Sequence, residues 1–179
     1  MDPRPSKTQY YLTIAKQIGL RSTCFRNRGG AIIVNGDQII ATGYIGAPRK
    51  TKDCFERGEC LRDKLQIPHG KQYEMCRSAH AEQNAIINAA RSGVSLYGAD
   101  MYISFDNPKD GSPRDSFPCF ICKKLIINCG INRVICTNSK NEEVVFKVED
   151  WVKDWQEKDI IDDHFQFGTD LNKKEGLTG

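Results

Sequence analysis

Two stretches of this chain decide its fold and its chemistry: Cys76–Ile86, which reads CRSAHAEQNAI, and Phe117–Cys122, which reads FPCFIC. The first continues into an alanine- and isoleucine-rich stripe at helical spacing that ends at Gly93. In the second, Pro118 suits the first turn of a helix, and the apolar pattern after it stops near Gly130. Each stretch is therefore predicted to begin a helix.

One histidine and two cysteines, His80, Cys119 and Cys122, would lie at the N-termini of these helices, where the helix dipole favours thiolate over thiol. One imidazole and two thiolates suit a tetrahedral Zn²⁺ that keeps its fourth position for water. Such a metal lowers the pKa of the water towards neutrality. Glu82 lies two residues after His80, a spacing that does not share a helical face. We therefore expect Glu82 to be an unligated catalytic acid and base beside the metal.

The segments HAEQNAI, PCFICKK, CLR and GYIGAP together resemble the deoxycytidylate (dCMP) deaminase family, including its bacterial members encoded with competence genes. Their H-x-E and P-C-x-x-C parts match the signature of zinc-dependent nucleobase deaminases, the cytidine deaminase superfamily. The resemblance runs from about Ser22 to Thr137. It implies an α/β protein with a three-layer α/β/α fold around a mixed central sheet, and hydrolytic deamination of dCMP to dUMP plus ammonia. It also implies assembly into homo-oligomers, which in many members respond to dCTP and dTTP.

The resemblance also implies substrate contacts. The backbone N–H of Ala81 would hydrogen-bond the carbonyl of the base. Ile45 lies where the family usually carries an asparagine, which can hydrogen-bond the sugar, whereas isoleucine cannot. Either the substrate differs or neighbouring groups have taken over the contact. Separately, Arg114 and Arg26 are the cations expected to meet a substrate phosphate, because a guanidinium fork matches that anion; the alternative is that they are solvated loop arginines.

The segment Arg49–Tyr73 has little periodicity and is predicted to be a long loop. In a compact domain such a loop is usually functional or fixed by a cross-link. Four cysteines lie in or near this loop, and some members of the family carry cysteines at similar positions, where they bind a second, structural zinc. We therefore hypothesise that these four cysteines form a closed metal site, with His69 as a substitute ligand. The alternative is buried free thiols, which pack like small hydrophobic groups. The four predicted ligands are Cys24, Cys54, Cys60 and Cys76.

Length and composition predict one domain over residues 1–167 and a frayed tail over residues 168–179. A net charge of +3, with scattered basic residues, does not require a nucleic-acid partner and is compatible with a small nucleotide substrate. No apolar run reaches membrane-spanning length, and the N-terminus does not resemble a signal peptide. We therefore expect a cytoplasmic protein, in which eight cysteines favour metal binding over disulfides.

Periodicity and turn residues predict the remaining elements. These are a helix over Lys7–Leu20, a hairpin around Asn35-Gly36-Asp37, a strand over Asp100–Phe105, and a strand over Arg133–Thr137 in a parallel arrangement. Residues 106–115 are predicted to form a loop. A short strand over Val144–Val148 and an amphipathic helix containing Trp151 and Ile161 complete the chain.

Two alternatives to a dCMP deaminase stay open on the sequence. The first is a deaminase of another small nucleobase compound or of adenosine in tRNA, since the two motif halves do not distinguish these substrates. The second is a zinc-stabilised nucleotide-binding or nucleotide-sensing module without catalysis. Glu82 argues against that second class, because a structural metal site needs no proton shuttle.

Overall fold

A mixed β-sheet with helices on both faces forms the centre of the protein. The computed structural model describes residues 4–68 and 70–158. The strands are β1 (Arg28–Asn35), β2 (Gln38–Tyr44), β3 (Asp100–Asp106), β4 (Pro113–Arg114), β5 (Arg133–Thr137) and β6 (Glu143–Lys147). The helices are α1 (Lys7–Gly19), α2 (Cys54–Arg57), α3 (Leu61–Lys64), α4 (Ala81–Arg91), α5 (Phe120–Asn128) and α6 (Val148–Glu157). A 3₁₀ turn spans Tyr73–Met75.

The strand order is β2-β1-β3-β5-β6, and β4 pairs with the end of β3. Strands β3 and β5 run parallel, as the alternation of strand and helix predicted, and the other pairs are antiparallel. The predicted hairpin is confirmed. Its turn places Gly36 and Asp37 at φ values of 53° and 64°, a conformation that glycine and aspartate tolerate better than most residues.

Alternation along β1 divides the core between the two faces of the sheet. Ile32 and Val34 pack under α1 with Tyr11 and Leu12 of that helix. Ala31 and Ile33 face the opposite way, into a larger cluster that includes residues of α4, α5 and α6. The predicted three-layer α/β/α architecture is confirmed. In the part of the chain that the structure describes, no helix has the length and hydropathy needed to cross a membrane.

Two glycines allow helices to approach the sheet closely. A Cβ atom on Gly30 would lie 2.0 Å from the carbonyl oxygen of Ala15 in α1. A Cβ atom on Gly43 would lie 2.3 Å from the carbonyl oxygen of Ala81 and 2.3 Å from the nitrogen of Ala85 in α4. Any larger residue at either position therefore pushes a helix away from the sheet.

The structure differs from the sequence-based prediction in three places. The long loop contains two four-residue helices, α2 and α3, and Asp53 caps α2 through a capping box with Glu56. The predicted loop over residues 106–115 contains the two-residue strand β4. Val148, predicted as the last residue of a strand, instead begins α6. Residues 159–179 and His69 lie outside the described part, so the tail, the domain limits and a role of His69 stay predictions.

Candidate active site

Two helix N-termini bring together the side chains predicted to bind a metal. His80 is the residue immediately before α4, and Cys119 is the residue immediately before α5. Cys122 lies in the first turn of α5. Because both helices point their N-termini at the same place, their dipoles favour thiolate sulfurs there.

The start of α4 is held from two directions. The His80 N–H donates a hydrogen bond of 2.8 Å to Oε1 of Gln83, which satisfies a backbone donor at the helix start. The preceding residue, Ala79, donates its N–H to the carbonyl oxygen of Gly46 at 2.9 Å, and Gly46 donates back at 3.3 Å. The segment after β2 therefore fixes where His80 lies.

The three side chains form a compact cluster of potential metal ligands. His80 Nδ1 lies 3.3 Å from Cys119 Sγ and 3.4 Å from Cys122 Sγ. All three ligand atoms lie within 4.8 Å of one another, and this is the only group of three or more such side chains within residues 4–68 and 70–158. One nitrogen and two sulfurs at this spacing suit a tetrahedral metal with one position open.

Protonation of the cluster is strongly coupled. A hydrogen bond from the Cys122 thiol, together with His80, lowers the pKa of Cys119 to about 4 against the opposing effect of burial. The same hydrogen bond, and burial, raise the pKa of Cys122 well above its usual value. Burial lowers the pKa of His80, but the hydrogen bond and charge of Cys119 outweigh it, so the net pKa is raised. Without a metal the cluster therefore holds a thiolate, a thiol and a basic imidazole.

Glu82 is buried in the first turn of α4, with 1% of its surface exposed. Its Oε2 atom has no hydrogen-bond partner among the residues that the structure describes. Burial raises the pKa of its carboxyl group, and the nearby His80 only partly opposes this. A buried carboxylate oxygen without a partner is costly. It fits a site in which water, a proton or a substrate supplies the missing contact.

A cavity of about 50 Å³ opens beside His80. It combines apolar, aromatic, cationic and thiol side chains, and among the described residues that line it none is an aspartate or a glutamate. The lining residues other than His80 are Cys24, Arg26, Asn27, Ile45, Cys54, Cys60, Arg62, Tyr73 and Cys76. The cavity therefore presents hydrogen-bond donors rather than carboxylate acceptors to a ligand.

Comparison with known proteins places this site in a family. Residues 5–138 match the family described as the cytidine and deoxycytidylate deaminase zinc-binding region. The chain belongs to that family. Membership confirms the predicted resemblance and the predicted zinc cofactor, for which His80, Cys119 and Cys122 form the cluster that could hold a metal.

Relatives within this deaminase family differ in length. The deoxycytidylate deaminase of Schizosaccharomyces pombe is 35% identical over 138 residues, which cover 77% of this chain and 39% of that protein. The chain thus spans about two fifths of the length of that yeast relative. The deoxycytidylate deaminase of Mycobacterium phage D29 is 32% identical over 136 residues, which cover 74% of this chain and 94% of that protein.

A solved structure shares the fold of this family member. The dCMP deaminase of cyanophage S-TIM5, in complex with dCMP and dUMP, is 25% identical, with a TM-score of 0.54. The match covers 76% of this chain and 85% of that one. It confirms the predicted cytidine deaminase-like fold.

The residues predicted to contact substrate separate into two groups. Ile45 and Arg26 line the cavity beside His80. Ala81 is fully buried at the start of α4, and Arg114 is not part of the cavity wall. Instead, Nη1 of Arg114 donates a 2.8 Å hydrogen bond to Oδ1 of Asn27, which does line the cavity. Direct contact between Arg114 and a phosphate stays a prediction.

The four cysteines predicted to bind a second zinc all line the same cavity, and all are free thiols. Burial raises the pKa of Cys24 and of Cys54, although a hydrogen bond with Arg77 opposes the effect at Cys54. In the described residues, the sulfurs of this group are not drawn into a cluster as tight as that around His80. The structure thus gathers the four predicted ligands around one space, and their binding of a metal stays a prediction.

Sequence reasoning missed three cavity residues: Asn27, Arg62 and Tyr73. The ring of Tyr73 meets the imidazole of His80 edge-to-face, with centroids 5.1 Å apart, and the guanidinium of Arg62 lies 4.8 Å from the centroid of the Tyr73 ring. No local pattern marks these residues. The CLR segment signals only a family resemblance, and its arginine is 5% exposed, a rare state for that residue type.

Proposed function

We propose that this chain is a zinc-dependent hydrolase that deaminates a pyrimidine nucleotide, converting dCMP and water to dUMP and ammonia. The observation that carries the proposal is the buried Glu82, with an unpartnered carboxylate oxygen, beside a nitrogen and two sulfurs at converging helix N-termini. The relatives named deoxycytidylate deaminase and the solved dCMP deaminase with dCMP and dUMP support this choice of substrate.

His80 Nδ1, Cys119 Sγ and Cys122 Sγ are the atoms that would hold the zinc ion. When bound, zinc lowers the pKa of a water molecule and makes a hydroxide nucleophile available near neutral pH. The residues fit this group for two reasons. The donor set is the one expected for a catalytic zinc, and Oε2 of Glu82 needs a contact that the described part of the chain does not supply.

Glu82 is proposed to carry protons during the reaction. Its raised pKa lets Oε2 hold the proton taken from the attacking water and then deliver it to N3 of the pyrimidine. A second proton, from the oxygen now attached to C4, reaches the exocyclic amino group. The C4–N bond then breaks, ammonia leaves, and the oxygen on C4 becomes the carbonyl of dUMP. The N–H of Ala81, at the N-terminus of α4, is proposed to orient the other carbonyl of the base.

Two arginines that line the cavity each have a buried N–H group without a partner among the described residues, which supports an anionic substrate. Arg26 donates to Asp63 through Nε at 2.7 Å, but its Nη1 is buried and has no partner in the part of the chain that the structure describes. Arg62 donates to the carbonyl oxygens of Pro68 and Lys71, but its Nε is buried and has no partner among residues 4–68 and 70–158. Phosphate oxygens are strong acceptors for guanidinium donors. We therefore propose that this wall of the cavity faces the phosphate of the nucleotide.

A second, structural zinc is proposed for the group formed by Cys24, Cys54, Cys60 and Cys76. Its support is that four residues separated along the chain line one cavity together. Metal analysis of the protein as purified tests this: two zinc ions per chain are expected, and one in Cys54→Ser. One zinc per chain in the unsubstituted protein contradicts the second site.

Assembly and location complete the proposal. We propose a homo-oligomer, supported by Phe25 and Phe55, two exposed rings whose centroids lie 4.9 Å apart near the cavity loop. Light scattering at micromolar concentration tests this, and a monomer would contradict it. A cytoplasmic location is supported by the eight cysteines, all of which are unpaired. Fractionation of the cells that make the protein tests the location.

An ammonia-release assay across a substrate panel tests the proposed reaction. The panel contains dCMP, CMP, deoxycytidine, cytosine and a tRNA anticodon stem-loop with adenosine. We expect the largest kcat/KM for dCMP. A preference for another small compound would move the assignment to that compound, and deamination of the tRNA stem-loop alone would overturn it. No ammonia from any substrate, with zinc bound, would favour a non-catalytic binding module.

Glu82→Gln isolates the role of the proton carrier. The amide is nearly the same size as the carboxylic acid but does not exchange a proton, so we expect zinc content close to that of the unsubstituted protein. Removing a positioned general acid and base costs about 10²–10⁴-fold in kcat. Turnover within a few-fold of the unsubstituted protein would remove Glu82 from the mechanism.

A further inference from the structure

The cavity wall at Ile45 offers no polar atom to a ligand. The side chain of Ile45 is apolar and 7% exposed. Its backbone is also occupied, because its N–H donates to the carbonyl oxygen of Gly29 at 3.0 Å and its own carbonyl oxygen accepts from Thr23 at 3.1 Å. A ligand oxygen on this side of the cavity must therefore find its donor on a neighbouring residue.

Asn27 is a neutral neighbour of Ile45 with a donor to spare. It lies one residue before β1, and it lines the same cavity as Ile45 and His80. Its Oδ1 accepts the 2.8 Å hydrogen bond from Arg114, which is its one side-chain hydrogen bond within residues 4–68 and 70–158. Since an arginine side chain can only donate, the amide must turn its oxygen towards Arg114. The two N–H groups on Nδ2 are left as the free end.

The orientation of this amide is set by the sheet. Arg114 lies in β4, whose register pairs it with Phe105 at the end of β3. Strand β1 pairs with β3 on the other side, with Arg28 opposite Asp106. Asn27 and Arg114, 87 residues apart, therefore meet across the ends of three paired strands. A donor held in this way is oriented before the ligand binds, which reduces the entropy lost on binding.

We propose that Asn27 is a specificity-determining residue that donates a hydrogen bond from Nδ2 to an oxygen of the sugar-phosphate part of the substrate, in place of a polar side chain at position 45. Arg114 is then a positioning residue that acts through Asn27. The proposal rests on the proposed nucleotide deamination, and it identifies which group compensates for the apolar Ile45. The acceptor is either the 3′-hydroxyl of the sugar or a phosphate oxygen, and both present the same chemistry to Nδ2.

Asn27→Leu removes the donors while nearly keeping the size of the side chain. Three substrates are compared: dCMP, the 2′,3′-dideoxy analogue of CMP, and deoxycytidine. For dCMP we expect kcat/KM to fall about tenfold, mainly through a higher KM, because the variant loses one hydrogen bond and leaves one acceptor of the ligand unpaired. Zinc content and the thermal midpoint should stay unchanged. Asn128→Leu, at the exposed end of α5, is the matched control and should not change kcat/KM.

The acceptor is the group that is missing from the substrate whose kcat/KM falls least. Loss on dCMP and deoxycytidine, but not on the dideoxy analogue, assigns the sugar hydroxyl. Loss on dCMP and the dideoxy analogue, but not on deoxycytidine, assigns a phosphate oxygen. An equal loss on all three substrates, or no loss on any, overturns the proposal. If the unsubstituted protein deaminates none of the three, the proposed function fails, and this result is distinct from a failure seen only in the variant.

A rescue experiment separates a contact from a packing effect. Introducing Ile45→Asn into the Asn27→Leu protein returns a polar group to the same wall, so kcat/KM for dCMP should recover most of the tenfold loss. Arg114→Leu, which frees the amide to rotate, should give a smaller loss with the same substrate pattern. Two results together would show that Asn27 has only a structural role. One is a double variant with a kcat/KM no higher than that of Asn27→Leu, and the other is an Arg114→Leu loss that is the same for all three substrates.

Discussion

Gly43→Ala should displace α4 and therefore lower the activity of the protein much more than its stability. The new methyl group would lie 2.3 Å from the carbonyl oxygen of Ala81 and 2.3 Å from the nitrogen of Ala85. Both are backbone atoms of the helix whose first residues follow His80 and include Glu82. Because backbone atoms cannot rotate away from the new methyl group, α4 itself must move.

The size of the movement follows from the contact distances. Atoms in ordinary van der Waals contact lie roughly 3.5 Å apart, so α4 must retreat by about 1 Å. Overpacking of this kind costs about 1–3 kcal/mol, which for a chain of this length lowers the thermal midpoint by roughly 2–12 °C. A 1 Å misplacement of catalytic groups costs about 10²-fold in rate. We therefore expect a modest loss of stability and a much larger loss of kcat.

Gly30→Ala is the matched control, because its methyl group would lie 2.0 Å from the carbonyl oxygen of Ala15 on the opposite face of the sheet. It should destabilise the protein to a similar degree but displace α1 and leave α4 in place. Both variants are assayed for ammonia release from dCMP, zinc content and thermal unfolding, at a temperature at which each is folded. The reasoning is refuted if Gly43→Ala keeps near-normal kcat despite its lowered midpoint, or if Gly30→Ala loses kcat equally.

Three further predictions concern the metal cluster and the core. Tyr73→Leu removes the ring that meets His80 and should weaken zinc binding about tenfold in a chelator competition, whereas Tyr73→Phe should not. Zinc binding to the metal-free Cys54→Ser protein, in which only the His80 cluster is expected to bind the ion, should release two protons at pH 6. One comes from His80, whose pKa is raised above 6.5, and one from Cys122, whose pKa is raised well above 9, because Cys119 with a pKa of about 4 is already a thiolate. Calorimetry in buffers of different ionisation enthalpy measures this, and three protons would contradict the thiolate. Ile103→Ala, at a fully buried position of β3, should lower the free energy of unfolding by about 2–5 kcal/mol in urea denaturation.

Local signals explain which elements were predictable. The helices α4 and α5 and the β1–β2 hairpin depend on residues within a few positions of one another, such as the His80–Gln83 contact and the turn at Gly36. The short helix α2 carried a readable signal in Asp53 and Glu56, but four residues give too little periodicity to predict a helix. The pattern does not predict the start of α6, because Val148 continues the apolar pattern of β6.

By itself the sequence determined the three potential metal ligands and the two helix starts that present them, because residue type and local capping are properties of short segments. Only the tertiary structure decided which side chains share the cavity. Tyr73 reaches His80 through a turn in the long loop, and Asn27 meets Arg114 across 87 residues of chain. Such contacts depend on strand order and register, which arise when the whole sheet packs between its helices and which no local pattern specifies.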